Sequence, residues 1–254
     1  MLLRAEGDAV ICIGQPAHAW LSGQLARAWG NERFGSVEPR EEVCLGAEQH
    51  DVGMAAADRV PALNPETGLP RSFVEWPLAE KLALWRAAPD LLLPQSRYAA
   101  LLTSLHGHAL YAREDPATRD PAIEPFLAGE EARQAGLLAA LRADEATAAW
   151  ASDALVARNQ RLLWTWDSLS LALCLAWPPH TLRAVPAVGA TIDVEVLPAG
   201  EHRVALDPWP FAAAELRVRT EGRRLTGRFA TEEELRAAWA AAPWVTVELG
   251  LEPG

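Results

Sequence analysis

The chain has 254 residues, half of them hydrophobic, and a formal net charge of −11. It is long enough to bury a sizeable core, as one large domain or two modest ones. The acidic balance argues against a nucleic-acid backbone or an anionic membrane surface as partner, since both call for basic surface. A local basic pocket is still allowed, and of the 23 basic residues only Lys81 is a lysine.

In chain order, LLRAEGDAVICI reads as two short strands around a Gly7-Asp8 turn. QPAHAWLSGQLARAWG turns helical, with Ala17, Trp20, Leu21, Gln24, Leu25 and Ala28 on one stripe and Gly30 as a stop. REEVCLGAEQHDVGMAAADRV is expected to be one further helix, with Val43, Ala47, His50 and Met54 on a shared stripe. Residues 58–77 carry four prolines and read as a long loop of the kind that is often functional. Two helices follow, PLAEKLALWRAAPDLLL and SRYAALLTSLHGHALYARED. After a second proline-rich break comes a helical pattern of about 50 residues, with an expected interruption near RADEAT. Beyond PPH at 178–180 the period becomes two. ATIDVEVLP, HRVALDPWPF, ELRVRTEG and RRLTGRFA alternate as half-exposed antiparallel strands do. TEEELRAAWAAAP is a capped helix with Thr231 and Glu234 as its box, and WVTVELGLEP is a last strand. The N-terminal pair alone would be marginal, so it is expected to join the C-terminal strands in one sheet.

Cys12, Cys44 and Cys174 are far apart, lie among apolar neighbours and read as reduced thiols. The N-terminus lacks the apolar core of a signal peptide, and no apolar run reaches the roughly 18 residues of a bilayer span. A cytoplasmic location is the expectation.

Four histidines, His18, His50, His106 and His108, fall on expected helices in the first 110 residues. Asp51 follows His50 directly, and Asp167 sits among bulky apolar residues in LLWTWDSLSLALC. A buried aspartate is costly unless it is paired, hydrogen-bonded or on a metal. Imidazole nitrogens and carboxylates together suit divalent ions such as Zn, Fe, Mn, Mg or Ni, one or two of them. His106 and His108 are two apart and diverge by about 200° on a helix, so one of them is expected to face the site. His180 and His202 read as surface or capping groups. Gln15 and Gln160 lie one turn before His18 and two turns before Asp167, and are candidate substrate contacts. Arg158 and Arg161 could grip a phosphate, because the guanidinium fork matches its oxygens. Glu48 is a candidate general base, and Asp51 a candidate to orient an attacking water.

The ordered series His18, His50-Asp51, Asp167 resembles the H…HD…D mark of the metal-dependent HD superfamily. That resemblance implies a helical bundle in which these four residues hold one divalent ion, with intervening histidines holding a second in many members. At a closer level QPAHAWLSGQLARAWG, AEQHDVGM, NPETGLPRSF, LLTSLHGHALY, RNQRLLWTWDSLSLALC and LDPWPF resemble the DUF3891 family of uncharacterised bacterial proteins. Its pattern has a polar residue where Ala17 stands and a tryptophan where Met54 stands; neither change removes a ligand.

The expected fold is therefore α+β, mainly α. An HD-like helical metal-binding domain over 14–180 is followed by a small antiparallel β-rich subdomain over 181–254, joined by residues 1–13. The expected function is a metal-dependent hydrolase, a phosphohydrolase acting on a small phosphorylated metabolite or nucleotide through metal-activated water. The alternatives are a di-iron oxygenase, which needs about six ligands, and a non-enzymatic protein with a structural or vestigial metal site. The expected partner is a small-molecule substrate, with neither nucleic acid nor membrane involved and a homodimer left open.

Overall fold

A computed structural model describes all residues, Met1–Gly254. The chain opens with β1 (Leu2–Glu6) and β2 (Ala9–Ile13), then α1 (Gln15–Ala28) and α2 (Arg40–Gln49). A short α3 (Ala55–Asp58) leads to the paired β3 (Leu63–Asn64) and β4 (Leu69–Pro70). Four long helices follow: α4 (Leu78–Leu92), α5 (Arg97–Ala112), α6 (Glu124–Ala143) and α7 (Asp153–Leu175). The chain ends with β5 (His180–Ala187), β6 (Ala190–Pro198), β7 (Arg203–Asp207), β8 (Leu216–Thr226), α8 (Glu232–Ala241) and β9 (Trp244–Pro253).

The expected helical bundle with a small appended subdomain is not what forms. Seven strands make one large sheet in the order β1-β2-β8-β9-β7-β6-β5, all antiparallel except the β7–β9 pair. Of the long helices, α1 and α7 pack onto that sheet, and the others pack against them and one another. A core cluster of 35 buried residues takes Ile11 and Ile13 from β2, Leu21 and Leu25 from α1, Leu162 and Leu169 from α7, and Val218 and Val247 from β8 and β9. Residues 14–180 and the flanking segments thus share one interior. The reason is physical. The alternating strands bury one face, and the only apolar surface large enough to cover it is that of the helices.

Individual elements differ from expectation in instructive ways. ELRVRTEG and RRLTGRFA form the single strand β8, because Gly222 lies in the strand rather than turning it; there a Cβ would meet Ile11 Cγ2 at 2.7 Å. HTLRAVPA, unassigned from sequence, is strand β5 at the sheet edge. The segment 58–77 is ordered rather than a bare loop. Its β3–β4 pair, a Ser72–Glu75 capping box and a hydrogen bond from Phe73 N–H to the Met1 carbonyl (2.9 Å) pin it beside β1.

Two side-chain devices aim the helices. Gln24 on α1 exchanges two hydrogen bonds with the Arg219 backbone of β8 (2.8 and 3.1 Å), and Thr220 Oγ1 donates to the Ala17 carbonyl (3.0 Å). These tie α1 to the middle of the sheet. Arg4, buried on β1, donates to the Leu173 and Cys174 carbonyls (2.8 and 3.0 Å). It thereby satisfies the C-terminal end of α7, where acceptors lack intrahelical partners and a cation is favoured. Both α1 and α7 carry residues of the site described next.

Candidate metal centre

The helix expected over REEVCLGAEQHDVGM ends early, and that ending shapes the site. α2 stops at Gln49, His50 is its C-cap, and Asp51 leaves helical geometry at φ −100°, ψ 16° before a tight turn over Val52–Met54. Two neighbours on a regular helix would point about 100° apart. The break lets the His50 and Asp51 side chains turn to the same place. Gly53 allows the turn to press on α4: a Cβ there would stand 2.5 Å from the Leu84 carbonyl oxygen and 3.0 Å from Ala88 Cβ.

His18 comes from α1, His50 and Asp51 from the end of α2, His106 from α5 and Asp167 from α7, and all five are buried. His18 Nε2 lies 2.7 Å from Asp51 Oδ2 and 3.8 Å from Asp167 Oδ1. His50 Nε2 lies 3.4 Å from Asp167 Oδ1 and 3.7 Å from Asp51 Oδ2. His106 Nε2 lies 3.6 Å from Asp167 Oδ2. Two overlapping triads, His18–His50–Asp51 and His50–His106–Asp167, have donor atoms within 4.8 Å of one another and could hold a metal ion.

The far sides of two rings explain why the near sides suit a metal. His50 Nδ1 faces the Ala47 carbonyl at 2.9 Å, and a carbonyl only accepts, so Nδ1 carries the hydrogen. Ser170 Oγ donates to the Asp167 carbonyl (2.9 Å) and accepts from Ser22 Oγ (2.9 Å), leaving it to accept from His18 Nδ1 at 2.8 Å. In both rings Nε2 thus faces the carboxylates, where loss of its proton would free a lone pair for an ion. His50 Nε2 is buried without a hydrogen-bond partner. An orphaned buried nitrogen beside two carboxylates is the observation a bound cation would satisfy. His106 is held differently. Its ring lies between Trp85 and Trp164, at 5.6 and 5.5 Å between centroids, and its Nδ1 has no partner.

The charges in this cluster hold one another. Burial works against the charged form of His50, but the nearby charges of Asp51 and Asp167 lift it to about 9. Burial alone dominates at His106 and pushes it down to about 4. Burial would raise both carboxyls, yet the imidazoles hold Asp51 and Asp167 below the ordinary carboxylate range. A site that keeps two carboxylates ionised in the interior is built to face positive charge.

The cluster forms one wall of a cavity of about 230 Å³. Gln15 reaches this cavity, as do Met54, Trp76, Lys81, Trp85 and Arg113. The other sequence candidates lie elsewhere. His108 points away and pairs with Glu131 (3.3 Å), as expected of one of two residues two apart on α5. Glu48 pairs with Arg27 on α1, because Gly23 lets the two helices touch at that point. Arg158 donates to the Phe34 carbonyl (3.0 Å), Arg161 to the Arg183 and Ala184 carbonyls, and Gln160 to the Leu105 carbonyl (3.3 Å). These three tie α7 to its neighbours and do not line the cavity. Ser170, one turn beyond Asp167 on the same helix face, was legible by spacing but not singled out. Lys81 and Arg113 carried no motif; the rarity of lysine was the only signal for the first.

Fold and site together define an α+β protein with a buried histidine–carboxylate cluster on a cavity wall. Residues 1–227 match the family described as a protein of unknown function, DUF3891, and the chain belongs to that family. No curated protein and no solved structure matches the chain. No helix is long and apolar enough to cross a membrane.

Proposed function

We propose that this protein is a metal-dependent hydrolase, a phosphohydrolase that acts on a small phosphorylated metabolite or nucleotide. The observation that carries the reading is the convergence of the Nε2 atoms of His18 and His50 with the Asp51 and Asp167 carboxylates, beside a cavity that His18, Asp51 and Asp167 line. His18, His50, Asp51 and Asp167 would hold a divalent ion, Mn, Fe, Zn, Mg or Ni, with His106 as a fifth donor or as part of a neighbouring position. Such an ion lowers the pKa of a bound water and polarises a phosphoryl oxygen.

The chain's own residues supply the rest. Asp51, whose other oxygen is not the one near His18, would orient a water or accept its proton. Ser170 and the Ala47 carbonyl fix the two imidazoles and so the direction in which their Nε2 atoms point. Trp85 and Met54 add apolar wall beside the cluster, which lowers the local dielectric and strengthens the charge interactions there. The di-iron oxygenase alternative asked for about six ligands, and His108 is turned toward Glu131. Three buried free thiols fit a reducing compartment, so a cytoplasmic location is part of this reading.

The test is direct. Chelator-treated protein is titrated in turn with the five ions in a calorimeter, and the loaded protein is assayed for phosphate release from small phosphomonoesters. Uptake of at least one ion with measurable phosphate release is the expected result. No uptake of any of the five sinks the reading.

A further inference from the structure

We infer that Lys81 and Arg113 form an anion subsite on the rim of this cavity, and that the ligand is a small phosphomonoester with an aromatic body. This rests on the metal-centre reading and names the substrate class for it. It starts from how the chain uses its basic residues. Most arginines are spent: Arg27, Arg97, Arg119, Arg133, Arg142 and Arg183 are in ion pairs. Arg4, Arg158 and Arg161 are committed to backbone carbonyls. The two basic side chains that line the cavity are not spent in this way. Lys81 Nζ has only a long contact with the Val74 carbonyl, at 3.5 Å. The Arg113 guanidinium lies over the Trp164 ring, 5.2 Å from its centroid, which leaves its edge donors free.

The acidic groups around the cavity are, by contrast, neutralised or assigned. Asp58 is paired with the Met1 ammonium (2.9 Å), and Asp51 and Asp167 belong to the histidine cluster. In a chain of net charge −11, two uncommitted cations facing one cavity make a local positive centre. A compact ammonium and a planar fork together suit the three terminal oxygens of a phosphate monoester.

The remainder of the wall sets the organic half. Phe73, Trp76, Trp85 and Tyr111 give flat apolar surface, and 11 of the 19 lining residues are hydrophobic. That surface rewards a planar apolar group and offers few partners to a polyhydroxylated sugar. A cavity of about 230 Å³ is below the roughly 300–1,000 Å³ typical of drug-sized ligands. It therefore suits one ring and one phosphate rather than a dinucleotide.

The experiment measures binding, apart from turnover. Metal-loaded protein is titrated with phenyl phosphate and with glycerol 3-phosphate, following tryptophan fluorescence, while metal content is measured on the same samples. Phenyl phosphate should bind more tightly than glycerol 3-phosphate. Lys81→Met and Arg113→Met should each weaken phenyl phosphate about tenfold with metal content unchanged, as loss of one charge-assisted contact does. Lys81→Arg should restore most of the affinity, and Arg158→Ala and Arg161→Ala should leave it as it was. Thermal melts of each variant separate a folding defect from a binding one. If Lys81→Met and Arg113→Met, folded and metal-loaded, bind phenyl phosphate as the parent does, the subsite is overturned. A parent that holds metal but binds neither ester overturns it too, while the metal centre stands. Failure to hold metal, in turn, sinks the hydrolase reading, and titration of phenyl phosphate against Lys81→Met still decides the subsite.

Discussion

Two of the three buried acids, Glu130 on α6 and Asp167 on α7, are buried for different ends. Glu130 accepts from Ser104 Oγ at 2.7 Å and pairs with Arg133 at 3.2 Å. Its charge is met by one cation and one hydroxyl, and it lines no cavity described here. Asp167 faces three imidazoles at 3.4 to 3.8 Å, none of them at hydrogen-bond distance of its oxygens in the ordinary range, and it opens onto the cavity. Burial of an acid is therefore no sign of a site. A satisfied acid holds elements together, whereas Asp167, whose contacts are long and whose neighbour His50 has an unpartnered Nε2, has room beside it for an ion.

Substitution at each acid separates the two roles, and the largest effect is expected at the cavity. Asp167→Asn should lower metal affinity more than about 100-fold, since even groups behind a ligand cost 10–100-fold. Calorimetric titration of the chelator-treated variant checks this, and affinity close to that of the parent would remove Asp167 from the ligand set. Glu130→Ala should do the reverse. It breaks a buried pair and leaves Arg133 with Asp90 at the surface and the Arg86 carbonyl, costing about 3 kcal/mol in denaturant unfolding. Metal affinity should stay within about twofold of the parent, as expected for a site that shares no partner with it. A fall in metal affinity alongside the stability loss would show that the two acids form one network.

The residues of the buried cluster stand out in the sequence more than the fold does, and the reason is range. His18, His50-Asp51 and Asp167 are legible because their residue types are costly in apolar segments and limit what each can do locally. The helix period also foretold that His106 and His108 could not both face inward. What covers the alternating strands is a non-local matter. Nothing in the local pattern of ATIDVEVLP or ELRVRTEG says whether a strand packs in a small subdomain or carries the helices of the whole chain on its inner face. The early end of α2 was missed for a similar reason. Val43, Ala47, His50 and Met54 keep the helical period across a break at Asp51, after which Gly53 lets the turn press on Leu84 of α4. Arg158 and Arg161 looked like phosphate ligands because their chemistry fits, but carbonyls of β5 and of the loop before α2 take their donors first.

The Gly53 contact gives a smaller way to sharpen the contrast. Gly53→Ala would place a methyl against a backbone oxygen that cannot rotate away, so the turn carrying Asp51 must shift. A loss of about 2 kcal/mol is expected from overpacking, read from chemical unfolding of the metal-free protein. Added metal should restore less stability than it does in the parent, because binding stabilises only as far as the ligands still converge. Equal stabilisation by metal in both proteins would mean that the approach of α4 sets the fold alone and not the ligand geometry.

The smallest effect is expected one turn along α5. His106 and His108 share a helix and a residue type, but they face opposite ways. His106 is 2 % exposed between two tryptophans, whereas His108 holds only Glu131, whose side chain is 67 % exposed. An ion pair so open to water contributes little, and His108→Ala should change unfolding free energy by less than about 0.5 kcal/mol. It should also leave metal stoichiometry as it is, while His106→Ala lowers affinity for whichever ion the Asp167 side of the cluster takes. If the two substitutions reduced metal content alike, α5 would have to turn about its axis when the ion enters. The contrast between a satisfied and an open polar cluster would then describe only the metal-free protein.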